Sequence, residues 1–255
     1  MKIATWNVNS IRTRLSHVLR WLDTSQVDVL CLQETKILDA QFPRAVFEEA
    51  GYLSAYSGQK MYNGVAILSR HPMLEVTSDN PFFPDEQRRI LAATVAGIRL
   101  VCVYVPNGQS LESDKYAYKL NWLGAFCQWM AEECNTHTDV AILGDYNIAP
   151  EDRDVCEPEK WQGHVLASDA ERTAFGRLTQ MGFKDAFRLF HEEGAHYSWW
   201  DYRQRSFQRN AGLRLDHVLL SSPLAERCLS CTIDRTPRQW EKPSDHAPVI
   251  VEVDV

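Results

Sequence analysis

No apolar stretch in the 255-residue sequence approaches the roughly 18 residues of a membrane span; the longest, Leu100 to Val105, has the length of a strand. Gly/Ser-rich linkers and low-complexity blocks are missing, which leaves one large domain over residues 1–255 as the expected organisation. Before Asn7 there is little besides Lys2 and Ile3-Ala4-Thr5-Trp6, too short for a secretory signal. The seven cysteines are an odd number and form no framework, so complete disulfide pairing is excluded. Cys31 and Cys102 lie inside apolar runs, where a thiol acts as a small hydrophobe, and a reducing cytoplasm is the expected setting. Positive charge is in deficit as well: 27 basic residues face 34 acidic ones, for a net charge of −7. That balance excludes a passive nucleic-acid-coating protein but not an enzyme that visits DNA. What is present, 45% hydrophobic and 24% charged residues, is the balance of a globular protein, and it excludes a disordered chain, a collagen-like fibre or a coiled coil.

Strand and helix patterns alternate along the chain. Lys2 to Val8 reads as a strand, and Ser10 caps a helix to about Leu22 with Ile11, Leu15, Val18 and Leu22 on one stripe. Val27–Leu32, Val65–Leu68, Ile90–Ala96, Arg99–Val105, Asp139–Leu143 (broken by Gly144), Leu213–Leu220 and Pro248–Val255 read as strands. Lys115–Met130 is a helix with Leu120, Leu123, Cys127 and Met130 on one face, and Pro43 opens a short one. Ser168 with Glu171 forms a capping box for another, whereas Glu151–Glu159 reads as an acidic loop. The expected architecture is α/β, with sheets packed face to face and helices outside. Val29–Glu34 and Val140–Asp145 share one form, an apolar strand delivering an acid.

Acids and amides follow predicted strands repeatedly: Asn7, Glu34, Asp145 with Asn147, Asp216, and Asp245 with His246. Strand ends are rigid platforms that can converge on one cleft. The set is hard oxygen with a single imidazole, which suits Mg²⁺ or Mn²⁺ and not Zn²⁺. Phosphodiester hydrolysis needs such a set: a cation for the phosphate oxygens, a carboxylate for the attacking water, and neutral amides and an imidazole to hold the phosphate. Singly, each motif has a blander reading. Glu34 alone reads as a solvated turn, and Gly144-Asp145-Tyr146-Asn147 as an ordinary one. In an extended segment Asp145 and Asn147 project to one side, whereas His217, after Asp216, points into the fold.

Six ordered motifs carry a more specific resemblance: Thr5-Trp6-Asn7-Val8-Asn9-Ser10-Ile11-Arg12, Leu32-Gln33-Glu34-Thr35-Lys36, Tyr104-Val105-Pro106-Asn107-Gly108, Gly144-Asp145-Tyr146-Asn147-Ile148, Gly212-Leu213-Arg214-Leu215-Asp216 and Ser244-Asp245-His246-Ala247-Pro248. Together they resemble the exonuclease III family of DNA-repair nucleases over essentially the whole chain. The resemblance implies a four-layered α/β sandwich of two mainly antiparallel sheets flanked by helices, and Mg²⁺-dependent cleavage of DNA phosphodiesters, with Mn²⁺ as substitute. It assigns Glu34 as main metal ligand, supported by Asn7 and Asp245. Asp145 activates water, and Asn147 holds the phosphate. His246, oriented by Asp216, contacts the scissile phosphate, and Tyr104 lies against it. Asp145, Asn147 and His246 also touch metal in some states.

Related folds act on lipid headgroups and inositol phosphates, so the substrate must be read from other segments. Tyr197-Ser198-Trp199-Trp200-Asp201-Tyr202-Arg203 interleaves stacking faces with cations, and in the resembled family it borders an abasic-sugar pocket led by Trp199. Lys36, Arg88, Arg89, Asn107 and Arg203 are the expected DNA contacts, with Gly58-Gln59-Lys60 also matching a DNA-facing segment. Trp161 and Gln162–Ala167 lie where the family varies. The expected partner is duplex DNA with abasic sites or 3′ ends, bound by a monomer with no membrane contact. The resemblance implies incision 5′ to abasic sites and removal of nucleotides or blocking groups from 3′ ends. The rival readings are a family member that is mainly a 3′-5′ exonuclease and 3′-phosphatase with little abasic-site incision, a small-ester phosphodiesterase, and a DNA-binding scaffold with a relict site.

Overall fold

The computed structural model describes residues 1–255. In chain order the elements are β1 (Lys2–Asn7), α1 (Ile11–Ser25), β2 (Val29–Gln33), α2 (Arg44–Glu49), β3 (Leu53–Ser57), β4 (Val65–Ser69), β5 (Met73–Thr77), β6 (Ile90–Val95) and β7 (Ile98–Tyr104). After these come α3 (Asp114–Thr136), β8 (Val140–Asp145), α4 (Asp169–Gln180), β9 (Lys184–Asp185), β10 (Asp216–Leu220), α5 (Ser222–Ala225), β11 (Cys228–Ile233) and β12 (Val249–Val253). Ser10 does cap α1, accepting from Thr13 N, and the helix runs on to Ser25, where Gln26 turns left-handed at φ 51°. The Ser168–Glu171 capping box opens α4 as expected.

The strands form two six-stranded sheets, ordered β11-β12-β1-β2-β4-β3 and β5-β6-β7-β8-β10-β9. Each has one parallel pair, β1–β2 in the first and β7–β8 in the second, with antiparallel neighbours on both sides. β2 and β8 therefore hold equivalent places in the two sheets, which explains the shared form of Val29–Glu34 and Val140–Asp145.

The inner faces meet in one core, where Ile3, Val29, Cys31 and Ile67 pack with Leu91, Leu100, Cys102 and Leu143. On the outside of the first sheet, Trp6, Leu30 and Leu32 pack with Val18, Trp21 and Leu22 of α1. On the outside of the second, Val101, Val103 and Ile142 pack with Trp122, Phe126 and Met130 of α3 and Phe175 of α4. The result is the four-layered α/β sandwich. Strands covered on both faces are largely apolar, so β2 to Leu32 and β8 to Leu143 appear in the sequence as continuous apolar runs.

One expectation fails at Gly144. The strand is not broken there but continues to Asp145, because a Cβ at Gly144 would lie 1.9 Å from the Val103 carbonyl oxygen. Glycine lets β8 pass close to β7 and carry Asp145 to the sheet edge. All seven cysteines are free, and no helix is long and apolar enough to cross a membrane.

Candidate active site

Strand polarity and register assemble the site. β7 and β8 are parallel and end together, so Tyr104 lies opposite Asp145; β10 is antiparallel and begins there, placing Asp216 opposite Asp145 on the other side. In the other sheet Asn7 ends β1 opposite Gln33, and Glu34 follows in a left-handed turn at φ 52°. The sheets are joined at this edge by Asn7, whose Nδ2 donates to Glu34 Oε1 at 2.9 Å and to Asp145 Oδ2 at 2.8 Å.

The segment before β12 adds the imidazole. Ser244 Oγ donates to the Asn7 carbonyl (2.7 Å) and accepts from His246 N (3.2 Å), while Trp6 Nε1 donates to the His246 carbonyl (3.2 Å). His246 Nδ1 then meets Asp216 Oδ2 at 2.8 Å, and its Nε2 lies 3.7 Å from Asp145 Oδ2. Asp216 is fixed in turn, since Ser198 Oγ accepts from the N–H groups of both Leu215 and Asp216 at 3.0 Å.

Burial alone would lower the His246 pKa, but the carboxylates of Asp216 and Asp145 outweigh it and raise the imidazole to about 10. Burial, reinforced by Asp216 and opposed by His246 and Asn7, lifts Asp145 to about 7. A carboxyl titrating near neutrality beside an imidazolium is a recurrent sign of acid–base chemistry. Burial and then the charges of Glu34 and Asp145 push the Tyr104 phenol well above its usual range, so it remains a proton donor.

Asn147 departs from the extended geometry expected for it. It sits at φ 49° in a turn after β8, a conformation asparagine tolerates. Its N–H donates to Asp145 Oδ1 at 2.9 Å, and its side-chain amide donates to the Val105 carbonyl and accepts from Asn107 Nδ2 (3.0 and 3.1 Å). Turn geometry, not strand alternation, places it beside Asp145.

Residues 4–246 match the profile of the Endonuclease/Exonuclease/phosphatase family. Exodeoxyribonuclease III of Haemophilus influenzae is 33% identical over 99% of each chain. Among solved structures, a 3′ phosphatase from Neisseria bound to a product DNA hairpin is 44% identical and superposes with a TM-score of 0.99 over the whole of both chains. An AP endonuclease from Archaeoglobus fulgidus is 40% identical, with a TM-score of 0.97 and the same full coverage. The chain belongs to the exonuclease III family.

Within this family frame the acidic cluster fits a hard divalent cation. The carboxylates of Asp145 and Asp216 lie within 4.8 Å of each other beside His246, and Glu34 reaches the same cluster through Asn7. Asp216 Oδ1 is buried with no hydrogen-bond partner, an orphan that calls for a cation or a proton donor. Asp245 is turned differently: its Oδ2 accepts from Trp199 Nε1 (2.9 Å) and its Oδ1 from Asn9 Nδ2 (3.0 Å). Burial would raise its pKa, but His246, Trp199 and Asn9 hold it below the usual carboxylate range. Asn9, Ser198 and Ser244 stand inside the quoted motifs with no role of their own read from the sequence; their signal is adjacency to Asn7, Trp199 and Asp245.

The expected DNA contacts divide. Lys36 pairs with Glu34 Oε2 at 2.6 Å and donates to Asn9 Oδ1 at 2.7 Å, so it belongs to the site itself. Arg89 lies over the Tyr104 ring at 4.9 Å and is held by Gln87 Oε1, while Arg88 is on the rim near Asp79 at 3.5 Å. A cleft of about 690 Å³ runs past Gln59, Arg89, Tyr104 and Asn107. Arg203 is 85% exposed and pairs with Asp201 through two bonds of 3.0 and 2.8 Å. The aromatic tract also divides. Trp199 and Tyr202 border Asp245, but Tyr197 and Trp200 pack into the core with Ala247.

His217 points into the fold, as expected. It packs edge-on against Tyr146 and Phe175; its Nε2–H donates to the Ile148 carbonyl (2.8 Å), and its Nδ1 accepts from Arg214 Nη1 (3.0 Å). Burial and the Arg214 charge lower its pKa to about 4. An unfolded chain protonates this histidine near pH 6.5, whereas the folded one resists until about 4, so its contribution is present above 6.5 and lost as pH falls through that window. The loss amounts to about 3 kcal/mol. Urea midpoints measured between pH 7 and pH 4 (roughly the span of the two pKa values) are expected to fall in wild type and to fall less in His217→Gln.

Proposed function

We propose that this chain is a divalent-metal-dependent DNA-repair phosphodiesterase that incises DNA 5′ to abasic sites and removes nucleotides or blocking groups from 3′ ends of duplex DNA. The observation that carries the reading is Asp145, held by Asn7 and Asn147 between Glu34 and the Asp216–His246 pair. Glu34, Asn7 and Asp245 would hold or support Mg²⁺, for which Mn²⁺ would substitute; the ion when bound offsets charge on the phosphate and leaving oxygens. Asp145 takes the proton of the attacking water. Protonated His246, steadied by Asp216, and the Asn147 amide bind the non-bridging oxygens where negative charge develops. Tyr104, a donor in this environment, lies beside the leaving oxygen.

Arg88 and Arg89 form a basic rim, Lys36 stands inside the site beside Glu34, and Asn107 contacts the strand at the cleft. Trp199, oriented by Asp245, is the wall of a pocket for a sugar without its base, which costs little to extrude from a duplex. The Neisseria 3′ phosphatase and the Archaeoglobus AP endonuclease support the two halves of the activity about equally. A side-by-side assay of an internal abasic duplex and a 3′-phosphorylated recessed end, in Mg²⁺ and in chelator, tests the reading. Both substrates are expected to turn over, and both reactions are expected to stop in chelator. Glu34→Gln is expected to lose about 10²-fold or more in kcat. Cleavage surviving both chelator and this variant would reject the site.

A further inference from the structure

Lys119 of α3 and Glu171 in the first turn of α4 form an ion pair with both side chains fully buried, and no role proposed above uses it. Taking two charges out of water costs so much that a buried pair is weak support for stability. Here every proton of the ammonium is directed. Lys119 Nζ donates to Glu171 Oε1, to the Asn147 carbonyl at 2.7 Å and to the Asn107 carbonyl at 3.1 Å. Glu171 Oε1 also accepts from Leu166 N (3.0 Å), and Oε2 accepts from Ser168 N (3.0 Å) and Ser168 Oγ (2.6 Å).

One ammonium thus ties the turn carrying Asn147 to the loop carrying Asn107, while the carboxylate adds the loop that ends at Leu166. The side chains of Asn107 and Asn147 meet at 3.1 Å on the side of the cleft, and their carbonyls converge on Lys119 from within. Asn147 and Leu166 both have left-handed backbones, at φ 49° and 79°, and such conformations persist where surrounding groups fix them. Leu166 is held from its other side too, its carbonyl accepting from Ala149 N at 2.6 Å.

We infer that Lys119 and Glu171 are positioning residues for Asn147 and Asn107, and that they couple the Trp161–Ala167 loop to the hydrolytic centre. The inference rests on the reading of Asn147 as a phosphate-holding group. A pair that served stability alone would be replaceable by an uncharged pair without effect on turnover.

The full chain is compared with Lys119→Met, Lys119→Met/Glu171→Gln, Asn147→Ala and the triple variant, by thermal melting and by steady-state kinetics on a 3′-phosphorylated duplex. Lys119→Met strands the Glu171 charge and is expected to lower the melting temperature. Adding Glu171→Gln removes that charge, keeps one acceptor oxygen for either Leu166 N–H or the Ser168 donors, and is expected to restore part of the melting temperature. The kcat of this double variant is expected to remain about tenfold or more below wild type, because small misplacements of a positioning group are costly. KM is expected to stay within about threefold, as for an interaction made mainly in the transition state. Asn147→Ala is expected to cost the double variant less than it costs wild type, the non-additivity of groups acting as a unit. A double variant with wild-type kcat, or strict additivity with Asn147→Ala, would overturn the inference. Should the double variant not fold, Glu171→Gln alone is read by the same criterion: wild-type kcat overturns the inference, and reduced kcat at unchanged KM supports it. Wild-type turnover by Asn147→Ala is a separate result, which would remove the role given to Asn147 whatever the pair does.

Discussion

Asp145→Asn is expected to lower kcat on duplex DNA by about 10²–10⁴-fold, the range general-base assistance supplies. The replacement is nearly isosteric but cannot accept a proton from water. Its structural cost is limited by what surrounds it. Asp145 accepts from Asn7 Nδ2 at Oδ2 and from Asn147 N at Oδ1, whereas an asparagine offers one oxygen and one amino group. One donor therefore loses its acceptor, a cost of about 1–3 kcal/mol. Part of that is offset because the variant also removes a negative charge packed close to Asp216. The expected result is a folded protein, melting within roughly 2–12 °C of wild type, that binds DNA and does not turn it over. Single-turnover cleavage of a labelled 3′-phosphorylated duplex, together with binding measured in the absence of turnover, checks both parts. Cleavage at more than about a tenth of the wild-type rate would assign the proton transfer elsewhere.

The residues around Asp145 were legible for a specific reason. Asn7, Glu34, Asp145 and Asp216 lie at the ends or beginnings of strands covered on both faces, and polar residues bounding an uninterrupted apolar run stand out in the sequence. The strands that escaped notice occupy the outer positions. β5, with Leu74 and Val76 exposed, closes one edge of its sheet; β3 and β11 edge the other, and two-residue β9 is too short to show a period. Edge strands share burial between solvent and sheet, so their patterns resemble loops. Partners distant in sequence escaped for another reason. Asp154 stands in an acidic stretch that reads as a solvated loop, yet it is fully buried because arginines at positions 188 and 214 return to it. Lys119 looks like a surface residue of α3 until Glu171 is brought beneath it.

The arginine that anchors Asp154 sets the second large effect, on stability. Arg214 is 1% exposed and spans three groups at once: Nε to Asp154 Oδ1 at 2.7 Å, Nη2 to Asp185 Oδ2 at 2.7 Å and Nη1 to His217 Nδ1 at 3.0 Å. Burial by itself would raise the Asp154 pKa, but Arg214, with Arg188 behind it, holds the carboxyl below its usual range. Arg214→Met fills similar volume and leaves both carboxylates short of a counter-charge, Asp154 with Arg188 alone and Asp185 with none. Breaking a buried ion pair from one side costs about 3–5 kcal/mol. In a chain of this length that lowers the melting temperature by roughly 6–20 °C. Arg214→Lys is expected to lie between the two, since an ammonium restores the charge but lacks the planar fork that reaches Asp154, Asp185 and His217 together. Urea titration of the three proteins at about pH 7 orders them. A methionine variant within about 1 kcal/mol of wild type would mean that Arg188 alone satisfies Asp154, and that the network around β10 carries less of the fold than its geometry implies.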